Sequence, residues 1–109
     1  MSAETRNAGG GQYDGLVFEW HRKKAKENLR KHQVSFDEAK TVFADDNLLV
    51  APDRDHSYDE MRYLAIGRSI RERLLTVCFT ERGAILRLIS ARVAEPWERR
   101  EYELIGEQE

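Results

Sequence analysis

The last third of the chain has the pattern of three consecutive β-strands, and this run limits the possible folds more than any other feature. Residues 61–67, 74–80 and 85–92 are apolar or alternating segments separated by turns of hairpin length. Gly83 stands in the second turn, where a tight hairpin favours a left-handed residue. Strands joined by short turns pair antiparallel, so the sequence predicts an antiparallel sheet. The strands and turns carry Arg62, Arg68, Arg71, Arg73, Arg82, Arg87 and Arg92.

The segments before this sheet predict one strand and two helices. Residues 16–20 alternate between apolar and other side chains, as a half-buried strand does. Residues 22–32 change to helical spacing and end at Gln33. The buried stripe of this helix is predicted to be Ala25, Asn28, Leu29 and His32. Ser35 and Glu38 have the spacing of a capping box, in which each side chain bonds a free backbone N–H at a helix start. The apolar face of this second helix is Phe36, Ala39, Val42 and Phe43.

A short strand at residues 48–51 and a last helix that begins at Pro96 complete the order of elements. We therefore expect an α+β fold in which two N-terminal helices and a C-terminal helix pack on an antiparallel β-sheet. Residues 1–15 are small, polar and glycine-rich. We expect a flexible tail there, because such a segment buries little apolar surface, and a single domain over residues 16–109.

The net charge of −2 is low for a nucleic-acid-binding domain, but the charge is unevenly distributed. Residues 22–32 hold six basic side chains against Glu27 alone, and residues 61–92 hold seven arginines against two glutamates. Guanidinium groups are planar, always charged and suited to phosphate. This separation favours a nucleic-acid backbone as ligand, and it predicts that Lys23, Lys24 and Lys31 attract such a backbone without reading its sequence. Surface charge without directional meaning is the alternative.

The single cysteine, Cys78, excludes an internal disulfide and is expected to be a small core residue. No apolar run reaches the length of a bilayer span, and the N-terminus lacks the pattern of a signal peptide. We expect a cytoplasmic protein without membrane contact. The acidic loop around residues 53–60 lacks the spacing of a calcium site, so we predict no metal and no other cofactor.

Two series of short motifs follow one another along residues 16–104. The first is Phe18-Glu19-Trp20, Lys24-Ala25, Asn28-Leu29, Lys31-His32, Val34-Ser35-Phe36, Glu38-Ala39 and Val42-Phe43. The second is Glu60-x-Arg62, Gly67, Leu74-Leu75, Thr80-x-Arg82, Ile89-Ser90-Ala91-Arg92, Ala94 and Tyr102. Each piece is common by itself, but in this order they resemble the BrnT family of bacterial type II toxins. His21 stands where that family usually has Asp, which weakens a helix cap, and Gln33 stands where it usually has Gly, which predicts a strained helix end.

The resemblance implies a RelE-like fold and an endoribonuclease that cleaves RNA without a metal and inhibits translation. It also implies a short antitoxin of the BrnA kind, encoded beside this chain and carrying a ribbon-helix-helix domain, that holds the toxin inactive. RNA is the implied substrate, and the ribosome is a further candidate partner. DNA would be bound only through the antitoxin, because no helix-turn-helix pattern appears here.

Cleavage of RNA without a metal needs a base for the 2′-hydroxyl, cations around the phosphate and an acid for the leaving oxygen. An imidazole can accept and donate a proton, so His32 is a candidate base or acid; a packed residue that closes the helix is the alternative. Glu60 lies two residues before Arg62 at a strand entrance, so the two side chains point the same way. Glu60 then orients Arg62 or serves as the base, unless the pair is only structural.

Strand alternation puts Arg92 and Arg87 on opposite faces, so both can line one site only if a β-bulge intervenes. We therefore assign Arg87 to RNA binding and place Arg92 with Arg62, joined by Arg82 from its turn. The candidate catalytic residues are His32, Glu60, Arg62, Arg82 and Arg92. A second hypothesis is a non-catalytic module, an inactive toxin relic that binds RNA, the ribosome or an antitoxin through the same surface.

Overall fold

A computed structural model of the chain describes residues 8–56 and 59–107. Within these ranges one sheet has six strands in the order β1-β2-β6-β5-β4-β3. The strands are β1 Ala8–Tyr13, β2 Leu16–His21, β3 Leu49–Pro52, β4 Tyr63–Arg68, β5 Leu74–Arg82 and β6 Ile85–Val93. The helices are α1 Arg22–His32, α2 Phe36–Ala39 and α3 Pro96–Glu107. A 3-10 helix, Lys40–Ala44, continues α2, and a second one, Arg54–His56, follows β3.

The sheet is mixed, so the prediction of an antiparallel sheet was wrong for one pair of strands. β2 runs parallel to β6, with Glu19 paired with Arg87, whereas the other neighbouring strands are antiparallel. Parallel strands need a long connection. The connection from β2 to β6 includes α1, α2 and three strands, and no hairpin-length turn fixes the direction in which β2 joins the sheet.

β1 forms where we expected a flexible tail. A Cβ atom on Gly9 would lie 2.3 Å from Nε1 of Trp20, and one on Gly10, where φ is +146°, would lie 2.2 Å from the carbonyl oxygen of Phe18. The glycines therefore allow the β1 backbone to lie close against β2. Residues 1–7 of the expected tail, like residues 57 and 58 of the acidic loop, lie outside the described residues.

One face of the sheet packs against α1, α2 and the 3-10 helix that follows α2. Phe43 meets Phe79 edge to face at a centroid distance of 5.1 Å, and Trp20 meets Phe36 at 5.8 Å. The fully buried members of this core are Phe18, Trp20, Val34, Phe36, Ala39, Val42, Ala65, Leu75, Val77, Phe79, Leu88 and Ala91. The predicted apolar face of the second helix is therefore confirmed as part of the core.

α1 is held by hydrogen bonds more than by the apolar stripe we predicted. Leu29 is 51% exposed, and Asn28 is the buried residue of this helix. The Asn28 amide donates to the carbonyls of Val34 and Ala91 and accepts from the Ala91 N–H, at 2.8 to 3.0 Å. β2 pairs with residues 85–87 of β6, and farther along β6 the Asn28 amide bonds both backbone groups of Ala91 in place of a strand partner.

The ends of the first two helices agree in part with expectation. α1 ends at Gln33, which adopts a left-handed φ of 55°, and His21 at its start makes no capping hydrogen bond through its side chain. Ser35 accepts the Glu38 N–H at 3.0 Å, which is one half of the predicted capping box. α2 is a single α-helical turn of 4 residues, so the predicted pair of N-terminal helices is not confirmed.

α3 packs on the opposite face of the sheet. Tyr102 forms a second apolar cluster with Ile66 and Leu74, and its hydroxyl donates to Asp45 at 2.7 Å. The helix begins at Pro96 as predicted. In the described part of the chain, no helix has both the length and the apolar character needed to cross a bilayer.

Candidate functional site

The face of the sheet that α3 covers only in part carries most of the candidate residues. We call this surface the arginine face. Thr76, Cys78, Thr80 and Arg82 alternate along β5 and share it. Their partners on β6 share it too. These partners are Arg92 opposite Thr76, Ser90 opposite Cys78, Arg87 opposite Thr80 and Ile85 opposite Arg82.

A β-bulge in β6 places Arg87 and Arg92 on the same face. Cys78 pairs with Ser90 while the next residue, Phe79, pairs with Leu88, so Ile89 is an extra residue in the ladder. Without the extra residue, strand alternation would separate the two arginines. Strand alternation predicted opposite faces for Arg87 and Arg92 unless a β-bulge intervened. The bulge is present, so the assignment of Arg87 to a different face from Arg92 is corrected.

A row of polar side chains crosses the arginine face at right angles to the strands. Glu19 of β2 pairs with Arg87 of β6, and Arg87 pairs with Thr80 of β5. Tyr63 pairs with Phe79, so Arg62 falls opposite Thr80 at the start of β4. The Arg87 guanidinium lies 3.4 Å from the Glu19 carboxylate, and both are about one-quarter exposed. Thr80 is 2% exposed and its hydroxyl donates to the Met61 carbonyl at 2.7 Å, so the hydroxyl in this row is a buried structural group between Arg87 and Arg62.

Glu60 and Arg82 lie together at one end of this face. The Glu60 carboxylate is 3.8 Å from the Arg82 guanidinium, and the side chains are 38% and 50% exposed. We expected Glu60 to pair with Arg62, its neighbour along the chain; the structure pairs it with Arg82, across the sheet. The structure thus brings Glu60 and Arg82 together, and a common site for Glu60, Arg62 and Arg82 stays a prediction.

Arg92 is bound to a carboxylate that sequence reasoning did not single out. Its Nη1 and Nη2 atoms donate to Glu98 of α3 at 2.6 and 3.0 Å, and the Glu98 side chain is 0% exposed. The hydrogen bonds to Glu98 raise the pKa of Arg92 above its ordinary value. With 34% of its side chain exposed, Arg92 ties α3 to the sheet and still borders the arginine face.

His32 lies apart from Glu60 and Arg82, in a groove between α1 and the edge of β6. Lys24 and Lys31 line the same groove together with Ser90, whereas Lys23 is an exposed residue of α1 that does not line it. Ser90 is opposite Cys78, and Cys78 lies about 13 Å from Arg82 along β5. We expected one pocket formed by His32 with Arg62, Arg82 and Arg92. The structure has two adjoining surfaces instead.

The arginines at the opposite turn bind the protein itself. Arg73 makes a bidentate pair with buried Glu38 and donates to the Gln33 carbonyl at 2.9 Å. The hydrogen bond from Arg73 is the main cause that lowers the pKa of Glu38. Arg71 lies 3.5 Å from the same carboxylate, and Arg68 lies over the Tyr102 ring at 5.8 Å. These contacts attach the three arginines to the rest of the fold.

Cys78 is buried under the arginine face and has the character of a structural thiol. Burial, with the nearby Asp53 carboxylate, raises its pKa to about 11, while the Arg62 charge opposes the rise. A nucleophilic cysteine needs a lowered pKa. In the ranges 8–56 and 59–107, no three His, Cys, Asp or Glu side chains converge as metal ligands. That no metal is needed stays a prediction.

The arrangement can hold a phosphodiester and move a proton beside it. Arg82 and Arg87 each lie beside a carboxylate, and Arg62 lies close enough to Cys78 for its charge to act on that thiol. Glu19 is the residue that the sequence did not reveal, because its position depends on the parallel pairing of β2 with β6. The alternation of residues 16–20 put Glu19 on the polar side of its strand, which was the one available signal.

The family model for the ribonuclease toxin BrnT of type II toxin-antitoxin systems matches residues 20–98. The chain belongs to the BrnT family. The crystal structure of the Brucella abortus ribonuclease toxin BrnT has 25% sequence identity to it, with a TM-score of 0.56, covering 70% of this chain and 92% of that chain. None of the curated proteins matches this chain. The resemblance inferred from the sequence motifs is confirmed.

Membership in the BrnT family supports the general role of a ribonuclease toxin in a type II toxin-antitoxin system, and it implies an antitoxin partner. Glu19 and β1 precede the matched region, while Glu60, Arg62, Arg82, Arg87 and Arg92 lie inside it. The identity of the antitoxin and any binding to the ribosome stay predictions.

Proposed function

We propose that this BrnT-family protein is an endoribonuclease toxin that cleaves RNA without a metal ion, inhibits translation and is neutralised by an antitoxin of the BrnA kind. The observation that carries the proposal is the arginine face. Arg82 of β5 and Arg87 of β6 lie on one side of the sheet beside the Glu60 and Glu19 carboxylates, and Arg62 directly precedes β4. Family membership supports the ribonuclease class, and the geometry is our basis for the mechanism.

In the proposed reaction the phosphate lies over the row that contains Arg62, Thr80 and Arg87. Cleavage begins when a carboxylate takes the proton of the ribose 2′-hydroxyl. The 2′-oxygen then forms a bond to phosphorus while the bond from phosphorus to the 5′-oxygen breaks. The 5′-oxygen takes a proton from solvent water and leaves, so the products are a 2′,3′-cyclic phosphate and a 5′-hydroxyl. The hydroxide that remains takes the proton back from the carboxyl group, which restores the carboxylate. Negative charge grows on the phosphoryl oxygens during this step, where fixed cations are most effective.

We assign proton transfer to Glu19 and Glu60 in preference to His32. Glu19 lies 3.4 Å from Arg87 and Glu60 lies 3.8 Å from Arg82, so each carboxylate is beside a cation that would hold the phosphate. His32 lines the groove along the edge of β6, next to Ser90. Our proposal of metal-independent cleavage rests on the same pairs, because the guanidinium groups supply the positive charge that a metal would otherwise supply.

The antitoxin is proposed to cover the arginine face with an acidic segment. Arg82 is 50% exposed and Arg87 is 25% exposed, so carboxylates of a partner can reach both. Such a segment would occupy the position of the substrate phosphate and exclude RNA. Loss of cellular RNA would then account for the inhibition of translation when the antitoxin is absent.

The test is cleavage of single-stranded RNA by the purified protein in excess EDTA, with Arg62→Ala, Arg87→Ala and Arg99→Ala variants. Loss of one charge-stabilising group typically lowers kcat about 10²- to 10³-fold, and we expect this for the first two. Arg99 is an exposed arginine of α3, 3.9 Å from Glu103, and is the matched control that should keep full activity.

Intact RNA at high protein concentration in EDTA would overturn metal-independent cleavage. If added Mg²⁺ restored cleavage, the ribonuclease class would stand and only metal independence would fail. RNA binding without cleavage under either condition would favour a non-catalytic module. Addition of the protein to a cell-free translation reaction tests the last part of the proposal, and unchanged protein synthesis would contradict it.

A further inference from the structure

The groove between α1 and β6 is a small, open depression beside the arginine face, with polar and apolar side chains in its walls. Its volume is about 200 Å³, and its walls are residues of α1 and of the bulge in β6. Ligand pockets for drug-sized molecules begin at about 300 Å³, so this groove suits a single base or sugar. We call it the α1–β6 groove.

The lining of the groove combines cations, one carboxylate and an apolar side chain. Lys24 and Lys31 lie two helical turns apart on the same side of α1, about 10 Å from each other along the axis. Glu27 stands between them, and Ile89 of the bulge forms part of the opposite wall. Asn28 also lines the groove, but its amide is already engaged with Ala91 and Val34.

The groove continues into the arginine face through Ser90. Ser90 lines the groove, and it also lies on the arginine face between Arg87 and Arg92 of the same strand. Its side chain is exposed. An RNA strand whose phosphate lies on the arginine face can therefore continue past exposed Ser90 into the groove.

We propose that the α1–β6 groove is a nucleotide-binding subsite for single-stranded RNA, which holds the nucleotide next to the scissile phosphate. Lys24 and Lys31 bind the flanking phosphates, and Ile89 contacts the base. His32, also in the groove, contacts the same nucleotide. This inference rests on the proposed ribonuclease function and adds the path of the substrate.

The lining favours a nucleotide over an acidic peptide of the antitoxin. Glu27 would repel a run of carboxylates, whereas the amino group of a base can donate a hydrogen bond to it. An apolar wall beside two lysines also matches a base next to phosphates. An acidic peptide is therefore an outcome of the test and not the proposed ligand.

The test measures binding of a fluorescent single-stranded RNA hexanucleotide in which every 2′-hydroxyl is methylated, so that it cannot be cleaved. Anisotropy titrations compare the full chain with Lys24→Ala/Lys31→Ala and with Lys26→Ala/Arg30→Ala. Both double variants remove two exposed basic side chains from the same helix, but only the first pair lines the groove.

Each phosphate contact contributes about 0.7 to the slope of log affinity against log salt for a single strand, which is about 5-fold in affinity at 0.1 M salt. Loss of Lys24 and Lys31 should therefore weaken binding about 25-fold and reduce the slope by about 1.4. The control pair should weaken binding less than about 3-fold, through loss of long-range attraction only. Thermal unfolding of each variant verifies that it is folded.

Equal losses for the two double variants, or no loss for either, would overturn the subsite. The same titrations with a Glu-rich peptide decide the competing ligand: if peptide binding depends on Lys24 and Lys31 and RNA binding does not, the groove is a peptide site and the proposal is wrong. The probe resists cleavage, so groove-dependent binding by a protein that leaves native RNA intact would retain the subsite and reject the nuclease.

Discussion

The buried ion pair between Glu98 and Arg92 should contribute much of the stability of the attachment between α3 and the sheet. Glu98 is 0% exposed and accepts hydrogen bonds from Nη1 and Nη2 of Arg92 at 2.6 and 3.0 Å, and from the Glu95 N–H at 2.8 Å. Glu98→Gln keeps the shape of the side chain but removes its charge. It also turns an amide NH₂ group, a donor, toward groups that donate.

Removal of one partner of a buried ion pair costs about 3–5 kcal/mol. Arg92 is 34% exposed, so water can solvate part of the charge left behind, and the remaining amide oxygen keeps one acceptor. We therefore expect Glu98→Gln to lower the free energy of unfolding by about 2–3 kcal/mol at neutral pH, out of the 5–15 kcal/mol typical of a domain.

The same pair makes this contribution depend on pH. Burial alone would raise the pKa of Glu98, but hydrogen bonds from Arg92 and from the Glu95 backbone outweigh it and lower the pKa below its ordinary 4.5. A carboxyl whose pKa is lower in the folded state adds stability that is complete above its unfolded pKa. That stability is lost as the pH falls through the folded pKa. The difference between the parent protein and Glu98→Gln should therefore shrink below pH 4.5.

Urea unfolding followed by the fluorescence of Trp20, which is 7% exposed, measures the free energy at pH 7 and again below pH 4.5. Glu103→Gln is the matched control on the same helix. Its carboxylate is 53% exposed and lies 3.9 Å from Arg99, and such a surface pair contributes less than about 0.5 kcal/mol. The reasoning is refuted if the two variants are equally stable at pH 7, or if their difference grows on acidification.

Three further predictions concern residues away from α3. Gln33→Gly should raise the free energy of unfolding by about 0.5–1 kcal/mol, because Gln33 holds a left-handed φ of 55° that glycine adopts without strain; a thermal unfolding midpoint that does not rise would contradict this. Gly10→Ala should cost about 1–3 kcal/mol, because the new Cβ would lie 2.2 Å from the Phe18 carbonyl oxygen; unchanged hydrogen exchange over Ala8–Tyr13 would argue against a tightly packed β1. Cys78, with a pKa of about 11, should react with iodoacetamide at pH 8 at least about 100-fold more slowly in the folded protein than in urea; similar rates would show an accessible thiolate.

Local signals in the sequence predicted the elements well. The predicted strand at residues 16–20 is β2 Leu16–His21, and the predicted helix at 22–32 is α1 Arg22–His32. Alternation, helical spacing and the proline at the start of α3 act within a few residues, so they can be read without the rest of the fold. β1 was missed because glycines have no side chains that could alternate, and their effect depends on Trp20 and Phe18 across the strand pair.

Pairings between distant residues could not be predicted in the same way. Glu38 has the spacing of a capping residue, and no local pattern indicates that its side chain pairs with Arg73, 35 positions later in the chain. The seven arginines of residues 61–92 look equivalent in the sequence. The fold separates them, because Arg73 and Arg92 meet carboxylates that are themselves buried, whereas Arg82 and Arg87 meet carboxylates that remain accessible.

The types of residue at the candidate site could be predicted from the sequence, but their arrangement in three dimensions could not. Alternation correctly indicated that Arg87 and Arg92 would be separated unless a bulge occurred, and the extra residue Ile89 supplies that bulge. No residue type marks a bulge reliably. The placement of His32 together with the arginines in one pocket was wrong for a related reason. The direction of α1 relative to β6 depends on the parallel pairing of β2 and on the Asn28 amide, which no local pattern predicts.

The distribution of charge explains how a chain with a net charge of −2 can present a surface for RNA. Arg82, Arg87 and Arg92 each face a carboxylate, and such pairs hold the guanidinium groups in position while they produce little long-range attraction. Basic side chains outnumber acidic ones in α1, and this excess of positive charge lies on the exposed side of the helix, next to the α1–β6 groove. We therefore infer that α1 attracts the strand and that the arginine face orients it, by exchange of a protein carboxylate for a phosphate. The net charge sums the paired arginines and the basic residues of α1 with all the acidic residues. It therefore measures neither the attraction of the RNA strand nor its orientation.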